Sequence, residues 1–196
     1  MLETGYISFD QFTQREFDRP VEWVDGRVVE MTPVQKPHAR LCAFLMMAVR
    51  AYVGTRELGE VLGEPFVMKT GENLPGRSPD LLFVHSDNLE RLKTGFLDGP
   101  ADLVIEVLSP ESRGRDRGEK FFEYEEGGVR EYWLLDPYRQ HAEFYLLEDA
   151  RYEPIKPDSD GTFRSRVIEG LDFQVEEFWG SPFPPLVTLL RRWKII

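Results

Sequence analysis

A chain of 196 residues can bury one full core, and its longest apolar helical run, Leu41 to Val53, carries Arg50 and is too short to span a bilayer. The single cysteine excludes an internal disulfide. A formal net charge of −11 and a pI near 4.8 count against a protein coated in basic surface for broad nucleic-acid binding. Met1-Leu2-Glu3-Thr4-Gly5 lacks the basic start and apolar stretch of a signal peptide, so a cytoplasmic protein forming one domain over residues 1–196 is expected.

Ser8 opens a short helix, with Gln11 three residues on completing a capping box and Phe9, Phe12 and Phe17 giving an apolar side. Val21 to Val24 and Arg27 to Met31 read as two strands around Asp25-Gly26, a strong hairpin signal. Glu22 and Glu30 sit on these strands, where a carboxylate is either an outer ligand of a site or, more commonly, a solvent-facing residue. From His38 to about Glu57 apolar residues recur every three or four positions, which predicts the main helix packed on the sheet. His38 stands at its start, in reach of a phosphate or a bound metal, although such a histidine more often packs or caps. Cys42 falls on the apolar face and reads as a core residue. Glu60 to Lys69 reads as a strand with an irregularity at Gly63-Glu64-Pro65, where Pro65 implies an edge or a bulge.

Residues 70–78 form a polar loop delivering the chain to Pro79-Asp80 and the apolar run Leu81 to Val84. His85 to Pro100 reads as a connection with one helical turn near Leu89, and His85 as a surface residue. The run Leu103 to Leu108 has the apolar, β-branched composition of a strand buried on both faces, yet contains Glu106. A buried carboxylate is costly unless paired, hydrogen-bonded or bound to a metal. Two strands of one sheet would bring Asp80 and Glu106 to one point, and converging oxygen donors are what a hard divalent cation needs.

Arg113, Arg115, Arg117 and Lys120 follow at once, either as a local basic patch for substrate or as a solvated face balanced by Asp116 and Glu119. Asp116, Lys120 and Tyr124 are spaced by four and share one helical face. That face is either an exposed ion pair or a support that aims Lys120 back over the sheet at Glu106. Gly127-Gly128 ends the helix. Glu131 to Leu135, His141 to Leu147, Arg151 to Ile155 and Phe163 to Ile168 read as an antiparallel tail, and Leu186 to Ile196 as an amphipathic ending that packs on the body or on a second subunit. The sequence has no Gly-x-Ser-x-Gly elbow, no phosphate-binding Gly-x-x-x-x-Gly-Lys loop and no His-Glu-x-x-His helix, and three scattered histidines with one cysteine argue against zinc.

Taken together, Glu22-Trp23-Val24-Asp25-Gly26-Arg27-Val28-Val29-Glu30-Met31, His38, Pro79-Asp80, Glu106-Val107-Leu108-Ser109-Pro110, Asp116, Lys120, Tyr124 and Gly128 to Pro137 resemble the Uma2 family, a bacterial domain of unknown function classed with the restriction endonucleases. The resemblance runs from about residue 22 to 147 and leaves 148–196, strands and a helix, as an extension. It implies an α/β (α+β) restriction-endonuclease-like fold, a mixed central sheet flanked by helices with additional antiparallel strands, and magnesium-dependent phosphodiester hydrolysis of DNA at a PD-(D/E)xK site. In that signature a lysine stands two residues after the acidic member, where this chain has Leu108; Lys120 from the next helix is expected to replace it. Asp80, Glu106 and the Val107 carbonyl would hold Mg²⁺ or Mn²⁺, Glu22 would be an auxiliary carboxylate, and two cuts in a duplex would favour a homo-oligomer. The alternative is a catalytically silent scaffold on the same fold, with Asp80 and Glu106 tied up by Lys120 and backbone donors.

Overall fold

The computed structural model describes residues 6–31, 33, 35–110 and 113–196, with only the backbone of Arg113. Helix α1 (Phe9–Thr13) begins on the expected capping box: Ser8 Oγ accepts from the Gln11 N–H, and the Ser8 N–H donates to Gln11 Oε1. Strands β1 (Val21–Val24) and β2 (Arg27–Glu30) pair antiparallel, with Val24 opposite Arg27. Asp25 and Gly26 both have positive φ, 48° and 76°. A two-residue turn of that hand matches the twist of the flanking strands, and Asp-Gly adopts it at low cost. Helix α2 (Lys36–Thr55) buries Leu41, Phe44, Leu45, Ala48, Val49 and Tyr52 along one side.

Beyond α2 the chain alternates between two sheets. Strand β3 (Gly59–Gly63) ends where Glu64-Pro65 begins, and β4 (Val67–Lys69) lies in a different sheet, so the irregular strand expected over 60–69 is two strands. Strand β5 (Gly76–Arg77) leads to β6 (Leu81–His85), then to a 3-10 turn at Ser86–Arg91. The connection read over 85–100 also contains a short strand, β7 (Phe96–Asp98), which runs parallel to β4. Strand β8 (Leu103–Val107) is buried throughout. Helices α3 (Arg113–Arg117) and α4 (Glu119–Gly127) follow, separated at Gly118, and α4 ends on Gly128 in the left-handed conformation, φ 86°. The remaining strands are β9 (Glu131–Asp136), β10 (His141–Glu148), β11 (Arg151–Pro154), β12 (Thr162–Arg164) and β13 (Asp172–Gln174), before helix α5 (Leu186–Arg192).

The central sheet has the order β11-β10-β9-β8-β6-β3. Strands β8 and β9 run parallel and the other neighbours antiparallel, so β9 belongs to the heart of a mixed sheet rather than to an antiparallel tail. Parallel neighbours need a crossover, and α3 with α4 supplies it. Alternation along the strands divides the core. Leu103, Ile105 and Val107 face α2 with Leu81, Phe83, Trp133 and Leu135, whereas Val104 packs with Leu82, Val84, Tyr132 and Leu134 beneath α4. Glu106 has the parity of Val104 and therefore points to the α4 side. A second sheet, β2-β1-β5-β4-β7, covers a smaller aromatic core of Phe12, Trp23 and their neighbours.

The segment after β11 closes the α2 side of the core. Phe163 stacks on Phe144 at 3.6 Å, and Trp193, just past α5, meets the Tyr52 ring edge-on at 5.2 Å. The strand expected over 163–168 is shorter than that and pairs with β13 in a separate hairpin. No helix among the described residues is long and apolar enough to cross a membrane.

Candidate active site

Four elements meet at the carboxyl end of β8: the N-terminal turn of α2, β1, the start of β6 and α4. The placement of α4 depends on Arg77, a buried guanidinium that donates to Glu123 through Nε (2.7 Å) and a terminal nitrogen (2.8 Å), and also reaches Glu22 on β1 at 3.3 Å. A planar fork with several donors can bind two carboxylates in fixed directions, so it fixes the rotation of α4 relative to β1. With α4 so held, Lys120 and Tyr124 turn towards the sheet, and Asp116 on α3, across the break at Gly118, meets Lys120 there.

Lys120 Nζ lies 2.8 Å from Glu106 Oε1, 3.2 Å from Asp116 Oδ1 and 3.7 Å from Glu22 Oε1. Tyr124 donates its hydroxyl to the same Glu106 oxygen at 2.8 Å. Asp80, immediately before β6, accepts the Val107 N–H at 2.7 Å through Oδ2, and its Oδ1 lies 3.1 Å from His38 Nε2. Glu22 Oε1 accepts the Ser78 N–H at 3.2 Å. Around these groups is a half-enclosed polar cleft in which the centre of a water-sized sphere has about 40 Å³ to move; Glu64, Asp80, Glu106, Asp116, Arg115 and Lys120 contribute to its wall.

Burial and charge set the protonation states. Burial pushes the Glu106 carboxyl well above the usual carboxylate range; Lys120 offsets part of this and Asp116 and Asp80 add to it. Burial also works against the Lys120 ammonium, but Glu106, Asp116 and Glu22 outweigh it and hold Lys120 above its ordinary value. Lys120 is therefore a fixed positive charge at neutral pH and has no lone pair to act as a base. For Glu22 burial is the largest influence and acts upward, yet Lys120, Arg77 and Arg115 together bring it below the usual range. Glu64 is pushed up to about 7 by burial and then by Asp80. His38 loses from burial but gains more from its bond to Asp80, and ends raised.

The residues named from sequence divide into two groups. Asp80, Glu106, Val107, Lys120, Glu22, His38 and Arg115 come together. Glu22 is 1% exposed, so the solvent-facing description of that strand residue is wrong: β1 is covered on that side by α4 and Arg77. His38 is buried and tied to Asp80, which leaves it a positioning contact and not a free donor at the surface. Cys42 packs at the margin of the core with Sγ 3.4 Å from His38 Nδ1. Leu108, where the signature would have lysine, is fully buried in apolar company. Arg117 turns away and pairs with Glu143 on β10, so it does not join the cluster. The Arg113 side chain lies outside the described residues. His85 is a half-exposed cap of the 3-10 turn, as expected of a surface residue. Sequence reasoning missed Arg77 and Glu64; the only signal for Glu64 was the break in the strand pattern at Pro65, and none marked Arg77.

The donor set suits a hard divalent cation. Four carboxylates line the cleft against Lys120 and Arg115, with His38 adding charge only when protonated. Asp116 Oδ1 is buried and, despite its distance to Lys120, has no aligned hydrogen bond among the described residues. No described hydrogen bond reaches Glu106 Oε2. A buried carboxylate oxygen without an aligned partner, in a partly closed cleft walled by carboxylates, suits magnesium or manganese.

A search of curated proteins finds no match. Among solved structures the chain is similar to one described as "a putative nuclease belonging to DUF820" from Anabaena variabilis ATCC 29413, at 18% identity and a TM-score of 0.71, over 88% of this chain and 97% of the other. At that identity the likeness establishes the fold, a mixed sheet flanked by helices. The family profile described as "Putative restriction endonuclease" matches residues 8–176, beyond both ends of the stretch whose motifs first suggested it, and the chain thereby belongs to the Uma2 family.

Proposed function

We propose that this protein is a metal-dependent endonuclease that hydrolyses phosphodiester bonds of DNA at a PD-(D/E)xK-type site whose lysine has moved to the following helix. The observation that carries the reading is the 2.8 Å approach of Lys120 Nζ to Glu106, inside a buried cluster that also contains Asp80. Asp80 and Glu106, with the Val107 carbonyl, would hold Mg²⁺ or Mn²⁺, which when bound supplies Lewis acidity and a nucleophile at neutral pH. Lys120 keeps its proton and opposes the negative charge that builds on phosphorus. Glu22 and Asp116 hold the ammonium, Tyr124 fixes the Glu106 rotamer, and His38 with the Val107 N–H fixes Asp80. Arg115 is a candidate phosphate contact: its Nε is buried and, among the described residues, has no hydrogen-bond partner, while its side chain borders the cleft. One domain over 1–196 and a homo-oligomer making paired cuts belong to the same proposal.

A second reading also has an observation in its favour. Both Asp80 oxygens and one Glu106 oxygen already have protein partners, the condition expected of a silent scaffold. Cleavage of plasmid, linear duplex and single-stranded DNA with Mg²⁺ or Mn²⁺, read with Mn²⁺ binding, separates the two. The nuclease reading requires metal-dependent nicking lost in Asp80→Ala, Glu106→Ala and Lys120→Ala. Unchanged nicking in the Asp80 or Glu106 variant sinks the assignment, and absence of both cutting and Mn²⁺ binding supports the scaffold.

A further inference from the structure

Asp80 borders a second cleft as well as the first. On its other side it joins His38, Cys42, Met46 and Glu64 along an open cleft of about 290 Å³. His38 and Cys42 are four residues apart on α2, so their side chains rise from one face of the helix. One nitrogen of His38, the sulfur of Cys42 and one Asp80 oxygen all lie within 4.8 Å of one another. At present His38 bridges the other two, with Nε2 3.1 Å from Asp80 and Nδ1 3.4 Å from Cys42 Sγ; one metal ion takes only one of these nitrogens, so a small turn of the ring accompanies binding.

We propose that His38, Cys42 and Asp80 form a site for a thiophilic divalent cation such as Zn²⁺, distinct in chemistry from the oxygen-donor site but sharing Asp80 with it. Thiolate and imidazole select zinc, whereas carboxylates alone select magnesium or manganese. Three protein ligands leave a fourth position for solvent or for Glu64, which lines the same cleft. Binding displaces the thiol proton of Cys42 to solvent, together with any proton on the His38 nitrogen that takes the metal, and that nitrogen exchanges its contact to Asp80 or Cys42 for the metal bond. A carboxylate turned to zinc on the α2 side is withdrawn from the Glu106 side. Zinc is thus an inhibitor of the proposed nuclease, a consequence that rests on that reading although the site itself does not.

Cobalt(II) is the probe for the site, because a cobalt-thiolate bond absorbs in the near ultraviolet. Addition of Co²⁺ to the wild-type protein should produce that charge-transfer band, Zn²⁺ should remove it, and Glu106→Gln should retain it. Cys42→Ser should lack the band and His38→Ala should weaken it. In wild-type protein Zn²⁺, but not Mg²⁺, should slow alkylation of the thiol at least tenfold, a reading that needs no variant and is unambiguous because Cys42 is the single cysteine. Cobalt binding without the band, a band surviving in Cys42→Ser, or a thiol that zinc does not protect overturns the site. Magnesium-dependent cleavage unaffected by saturating zinc overturns the sharing of Asp80. None of the binding measurements involves DNA, so a failed nuclease reading leaves them interpretable.

Discussion

Replacing Lys120 by methionine keeps the length of the side chain and deletes the one ammonium inside the cluster. In the folded protein it lies 2.8, 3.2 and 3.7 Å from three carboxylates, every side chain being 4% exposed or less. Attractions at such distances are each of order 5 kcal/mol at an effective dielectric near 20, and breaking a buried pair typically costs about 3–5 kcal/mol because a charge is left uncompensated. The variant has one escape, which is to protonate a carboxylate, and Glu106 is already the most disposed to do so. Its ordinary value is 4.5, so holding it neutral costs about 1.4 kcal/mol for each pH unit above that. The ceiling is therefore about 2 kcal/mol at pH 6 and about 5 kcal/mol at pH 8. The sign follows from a folded-state pKa raised above the unfolded one: the variant is least destabilised in acid and loses stability as pH rises. Urea midpoints of wild type and Lys120→Met at pH 6, 7 and 8, with unchanged m, measure this directly. Adding Glu106→Gln to Lys120→Met should restore most of the loss at pH 8. A destabilisation below about 1 kcal/mol at pH 8, or one that does not change with pH, would refute the claim that the ammonium compensates ionised carboxylates.

Two further outcomes follow from single groups. Glu64, raised to about 7, favours the folded state below its ordinary value of 4.5, and that contribution is lost as pH rises through 7. Because Glu64 is exposed at the rim of the cleft, solvent screening discounts the effect to at most about 1 kcal/mol, so Glu64→Gln should be up to that much more stable than wild type at pH 8 without metal and equal to it at pH 4.5, by thermal or urea unfolding. Leu108→Lys, which restores the lysine of the signature, should destabilise the fold by about 3 kcal/mol or more, since the position is fully buried among Val104, Tyr132 and Leu134 and Lys120 already fills the place of the positive charge. Wild-type stability of this variant would show that the pocket under α4 has room for a second ammonium.

Much of the fold was legible because local rules and tertiary demands agree. Ser8 with Gln11 fixed a helix start, Asp25-Gly26 a hairpin, the 3.6-residue pattern from His38 the helix α2, and Gly128 the end of α4, each through interactions within a few residues. The greasy run around Glu106 identified a central strand and an unusual carboxylate, and the spacing of Asp116, Lys120 and Tyr124 identified the face that meets it. Periodicity is a property of the chain, so it survives without a structure. Which sheet a short strand joins is not such a property: β4 and β7 pair with each other across nearly thirty residues, and β9 lies parallel to β8 because the intervening helices cross over. Nor does sequence reveal burial imposed by a distant neighbour. Glu22 is a solvent-facing strand residue by pattern and a buried partner of Lys120 in the folded chain, because Arg77 clamps α4 over it. His38 and Cys42 likewise meet Asp80 only because the start of β6 lies beside the first turns of α2 in the folded chain. The sequence alone thus determined the candidate acids and the lysine, through composition and period; tertiary structure decided their protonation and their partners, because both depend on charges brought together from four separate elements.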